Sequence, residues 1–200
     1  MRLHEIYDLA VQAGIAADPR GQTGIERILA RNQADFDALP EDRRWEFDSE
    51  SLTNPFADTR VLLGDPDLEV RSVLVGIDLE VGEVLLANTL RAQGEPVDLL
   101  LAHHPEGRAL ARLEEVMGVQ SDIWNRFGVS LAYGDAVMRD RRSEITRALH
   151  PLNTQRTVAA AGLLDFAFMC CHTPADNNVN AFLQERCDEM GEDHTVDELL

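Results

Sequence analysis

The sequence predicts an α/β fold: a largely parallel sheet flanked by helices, with a helical N-terminal extension. Three observations predict it. Short apolar runs at 72–79 (SVLVGIDL), 97–104 (VDLLLAHH) and 166–171 (FAFMCC) have the uninterrupted character of strands buried on both faces. Between the first two lies EVGEVLLANTLRAQG, in which Val84, Leu85, Ala87 and Leu90 recur at helical spacing and Gly94 supplies the stop. Strand, helix and strand in that order make a βαβ unit, the signature of helices packed on a parallel sheet.

The remaining elements follow along the chain. MRLHEIYDLAVQAG reads as an amphipathic helix, and Ile25, Ile28, Leu29, Phe36 and Leu39 continue the helical pattern until Pro40 breaks it. Turn signals at Asn54-Pro55 and Gly64-Asp65-Pro66 place a boundary near residue 70. After the βαβ unit, 108–128 reads as one helix closed by Gly128, VSLAY at 129–133 as a third strand, 135–150 and 154–164 as two helices, and FAFMCC as a fourth strand. The expected organisation is a helical extension over 1–69, an α/β metal-binding domain over 70–194 and the start of a further helix over 195–200.

Composition narrows the chemistry. The 36 acidic against 18 basic side chains leave a formal charge of −18, which repels nucleic acid and anionic membrane surfaces, so neither is an expected partner. Every basic residue is arginine, and the absence of lysine excludes a Schiff base, a lysine general base and a phosphate-loop lysine. Three cysteines without CxxC spacing indicate a reducing compartment, and a cytoplasmic location is the expectation. Cys170 and Cys171 lie in an apolar run and read as core packing. No apolar stretch reaches the roughly 18 residues needed to span a bilayer.

Open α/β sheets bind ligands beyond the carboxyl ends of their strands. There the sequence places Asp78 after the first run, His103 and His104 after the second, and HTPAD, with His172 and Asp176, after the last. Imidazole and carboxylate together suit Zn²⁺, Fe²⁺ or Mn²⁺. Strand alternation would turn His103 and His104 to opposite sides, one for each of two ions. The same residues also fit a plainer reading, in which the histidines bond to backbone and Thr173 or Asp176 caps a helix.

GIDLEVGEVLLANTLRAQGEPVDLLLAHHPEG, followed at a distance by FMCCHTPADNNVNAFL, resembles the NGG-interacting-factor-three-like family of dinuclear-metal proteins, the GTP cyclohydrolase I type 2 homologues. The resemblance covers roughly residues 70–190, with HHP and HTxxD as its most specific parts. It implies that His103, His104 and Asp176 ligate a pair of divalent ions, that His172 and Asp78 stand behind them, and that the protein forms a homo-oligomer. Family members complete the site with a histidine and a glutamate four residues later, near the end of a longer chain, so the resemblance also implies that the second half of the family fold is missing from these 200 residues. His194 and Glu198 have that spacing, but Thr195 to Glu198 also reads as a capping box before Leu199-Leu200.

Two functions stay open on these residues. One is a metal-dependent hydrolase acting on a small molecule, a nucleotide or phosphoester, with catalytic residues beyond the metal ligands unassigned. The other is a non-enzymatic metal-binding scaffold or interaction protein, in which ions stabilise an assembly.

Overall fold

A computed structural model describes residues 1–190 and Thr195. His194, Glu198 and the expected capping box at 195–198 fall wholly or partly outside the described residues. Helices α1 (Leu3–Ala16) and α2 (Gly21–Ala38) lead, as the sequence predicts, and two short 3-10 turns follow at Glu41–Glu46 and Ser49–Leu52. Then come β1 (Arg60–Leu63), β2 (Val73–Gly76), α3 (Val81–Ala92) and β3 (Leu99–Ala102). The rest is α4 (Gly107–Leu110), α5 (Leu113–Val116), α6 (Gly118–Arg126), α7 (Leu131–Leu149), α8 (Arg156–Leu163), β4 (Ala167–Cys170) and α9 (Thr173–Met190). Among the described residues no helix is long and apolar enough to cross a membrane.

The four strands form one sheet in the order β1-β4-β3-β2, with β2, β3 and β4 parallel and β1 antiparallel to β4. Period-two alternation divides the core. Leu100, Ala102, Phe168 and Cys170 pack with Val84 and Ala87 of α3 and Val158 and Ala161 of α8, while Leu99, Ala167 and Met169 pack with Leu3 of α1. Because both faces of β3 and β4 are covered, their sequences run apolar without interruption. Cys170 and Cys171 are part of this packing, and burial pushes both thiols up to about 11.

Four local expectations are corrected. The stretch 129–133 is not a strand: Ser130 is an N-cap whose hydroxyl accepts from the Tyr133 N–H, and the β-branched and aromatic residues that mimic a strand open α7. The single helix expected over 108–128 is three pieces, α4 to α6, although Gly128 does end it with φ of 90°. Residues 60–63, inside the expected helical extension, are an edge strand of the sheet. Finally, β2 is the opposite edge and not buried on both faces, for Val73, Val75 and Ile77 are exposed.

Candidate metal centre

The site lies where β2, β3 and β4 end. Parallel pairing carries past the strands: His103 N–H donates to Gly76 O and His104 N–H to Ile77 O, each at 2.8 Å, and Cys171 N–H donates to Ala102 O at 2.9 Å. Three loops are thereby laced together at one rim. The strand itself stops at Ala102, so His103 and His104 sit in a bend where strict alternation no longer applies. Their rings lie on the same side, with centroids 5.1 Å apart, in place of the opposite orientation expected from a continuing strand.

His172 joins them from the segment after β4, its ring centroid 4.7 Å from that of His103 and 5.7 Å from that of His104. One ligand atom from each of the three imidazoles lies within 4.8 Å of the others. Asp176 follows one turn after His172 at the start of α9, its N–H donating to His172 O at 3.1 Å. That i, i+4 relation sets both side chains on one helix face. Asp176 Oδ1 is 3.5 Å from His103 Nε2, and its Oδ2 is 3.7 Å from His172 Nε2. Asp78, from the end of β2, accepts from His104 Nδ1 at 2.6 Å. All five residues singled out in the sequence therefore meet at this rim.

Sequence reasoning missed Asp58. This carboxylate is fully buried, and its Oδ2 accepts from His172 Nδ1 at 2.9 Å and from the Thr173 hydroxyl at 2.5 Å. A carboxylate only accepts, so it holds the proton on Nδ1 and leaves the Nε2 lone pair facing His103 and Asp176. The hydrogen bond to Asp58 raises the His172 pKa above its ordinary value, against the opposing effect of burial. The Asp58 loop is itself pinned: Asn54 Nδ2 donates to Thr59 O at 2.8 Å, and the His172 N–H donates to Thr59 Oγ1 at 3.2 Å. Glu106, just past HHP, also escaped notice; burial pushes its carboxyl up, opposed by a hydrogen bond from Thr157.

The donor set fits a divalent transition ion. Imidazole nitrogens with carboxylate oxygens match Zn²⁺, Fe²⁺ or Mn²⁺ better than an all-oxygen cation site would. Bonds of about 2.0–2.1 Å in a tetrahedron separate two nitrogens by about 3.4 Å, against ligand atoms within 4.8 Å of one another here. His104, Asp78 and Asp176 are open to solvent, which leaves one side of the cluster accessible.

Fold and site together define an α/β protein with three histidines and two carboxylates gathered at the carboxyl rim of its parallel strands. The chain matches no protein-family model and no curated protein. Its fold is that of a NIF3 superfamily protein from Sphaerobacter thermophilus, with a TM-score of 0.59 and 24% sequence identity over 72% of this chain. The match takes in 51% of that protein, so this chain spans about half the length of its structural neighbour.

Proposed function

We propose that this protein belongs with the NIF3-type dinuclear-metal proteins and is a metal-dependent hydrolase acting on a nucleotide or another small phosphoester. One observation carries the reading: three of the six histidines in the chain converge with Asp176 at a rim where α/β sheets place their ligands. His103, His104 and Asp176 would hold the ions, two in a complete site, with His172 and Asp78 orienting that set. A bound divalent ion supplies Lewis-acid activation of water at neutral pH. The chain contributes the rest: Asp58 fixes the His172 tautomer and Asp78 fixes that of His104.

A non-enzymatic scaffold is the second reading, favoured by the exposed apolar edge of Val73, Val75 and Ile77, which suits assembly into a homo-oligomer. Elemental analysis after loading with Zn²⁺, Fe²⁺ or Mn²⁺, followed by assay on a nucleotide and phosphoester panel, separates the two. The hydrolase reading expects bound metal and turnover, both lost in His103→Ala and Asp176→Ala. Metal uptake without turnover, with loss of the oligomer in the same variants, favours the scaffold. Protein that takes up no metal refutes both.

A further inference from the structure

Helix α9 outruns the part of the fold that anchors it. Its start is held by the buried residues Thr173, Pro174 and Asn177, the last two against Gly14 of α1, but every residue from Asn178 to Met190 is exposed. That leaves about 20 Å of helix standing clear, and a helix of so few residues is marginal in water unless one face is covered. The exposed stretch is also amphipathic. Val179, Phe182 and Leu183 fall at i, i+3 and i+4 and are 58%, 59% and 54% exposed, and Arg186 continues the stripe with its guanidinium carbon 5.5 Å from the Phe182 ring centre.

The sheet has a bare face of the complementary kind. Leu74 turns into the α3–α8 side of the core, so Val73 and Val75 turn to the α1 side, level with Leu99 and Leu101 of β3. On that side Leu3 of α1 packs with Leu99, Ala167 and Met169, while Val73, Val75 and Ile77 at the β2 end of the layer stay 40%, 66% and 64% exposed. A sheet face and a helix stripe are each stable only when buried against another element. One chain thus carries a sheet face that lacks a helix and a helix stripe that lacks a sheet.

We propose that two copies of this chain exchange α9 about a two-fold axis, the stripe of Val179, Phe182 and Leu183 in each lying across Val73, Val75 and Ile77 of the other. The arrangement is reciprocal and closed, so it stops at a dimer. Its size is sufficient: the six side chains expose roughly 550 Å² per copy, about 1,100 Å² over the pair. With the polar surround of an ordinary interface the contact comes to about 1,800 Å², in the range of stable complexes. Helix on helix or sheet on sheet would bury only about half as much and leave the other face bare. Because α9 starts beside Asp176 and β2 runs on to Asp78, the exchanged helix borders the solvent-open side of the histidine centre. The contact goes beyond the two readings above in that it does not depend on bound metal. Each copy carries a charge of −18, so like charge opposes the pairing and the apolar contact must outweigh it.

Sedimentation equilibrium of the full 200-residue chain, with a metal chelator present, tests the exchange. The chain should be dimeric at about 100 µM, and added salt should tighten the dimer by screening the repulsion. Phe182→Glu and Val75→Glu should each raise the dimer dissociation constant by about 100-fold or more, since each would bury a charge, while His103→Ala leaves it unchanged. In a Cys187→Ser background, a short bis-maleimide should link copies that carry both Val75→Cys and Phe182→Cys, and should link neither single variant. A chain that is monomeric at that concentration gives these faces to another partner and overturns the proposal. So does a dimer untouched by Phe182→Glu and Val75→Glu, or cross-linking of Val75→Cys or Phe182→Cys alone, which would mean that like faces pair. A dimer lost in His103→Ala but kept in Phe182→Glu would assign assembly to the histidine centre and overturn it as well.

Discussion

His172 Nδ1 donates to Asp58 Oδ2 at 2.9 Å across 114 residues of sequence, and Asp58 is fully buried where it accepts. The bond orients one member of the histidine cluster from inside the protein, beyond reach of solvent. Replacing Asp58 by Asn keeps the shape but removes the charge and leaves the Nδ1 proton less firmly held. Metal affinity should fall by about 10- to 100-fold, read by competition with a chromophoric chelator, while stoichiometry is preserved at saturating metal.

The same pair predicts a pH dependence in the chelator-treated protein. Because the folded-state pKa of His172 is raised above 6.5, its protonation stabilises the fold. That contribution is fully present below the unfolded pKa and is lost as pH rises through the folded value. The gap in melting temperature between wild type and Asp58→Asn should be widest near pH 5.5 and narrow toward pH 8 (about two units across the histidine range). A gap that widens with pH would contradict the assigned pairing.

Helix α9 brings Asp176 to the site by packing on α1. The approach is close at Gly14, where a Cβ would stand 2.6 Å from Pro174 Cβ and 2.7 Å from Pro174 Cα, while Asn177 Nδ2 donates to Gly14 O at 3.0 Å. Gly14→Ala must push the start of α9 outward. It should cost about 1–3 kcal/mol in urea denaturation and weaken metal binding as well, although residue 14 does not touch the centre.

Arg60 is 2% exposed; it donates to the carbonyls of Phe56 and Thr59 and pairs with Asp48 at 2.9 Å. It stiffens the loop that carries Asp58. Truncation to Ala leaves the two carbonyls without their donor and Asp48 with Arg112 alone, so Arg60→Ala should destabilise the protein by about 1–3 kcal/mol, measured by chemical denaturation. Arg60→Lys should recover only part of the loss, because an ammonium cannot reproduce the planar fork.

Much of the fold was legible where local pattern and final environment agree. The runs around Val73, Leu99 and Ala167 are strands, and the helical spacing of Val84, Leu85, Ala87 and Leu90 is α3. Reading failed where local pattern is ambiguous. Val129 to Tyr133 has strand-like residues but a serine cap, and Arg60 to Leu63 hides a four-residue edge strand behind turn signals. In the site, His103, His104, His172, Asp78 and Asp176 could be named because strand ends are visible in sequence. Asp58 could not, since an aspartate after Asn54-Pro55 looks like any loop residue until β1 pairs with β4 and carries its loop beside His172.

The sequence by itself determined the α/β class, the three runs that become the parallel strands and the residues at their carboxyl ends, because apolar periodicity and turn chemistry act over a few residues. Tertiary structure alone decided that His103 and His104 turn to the same side, that a buried carboxylate holds His172 in place, and that the outer face of β2 and the far end of α9 are left bare. Those relations depend on segments tens to more than a hundred residues apart being brought together as the sheet closes and its two faces are buried, and no local pattern carries that information.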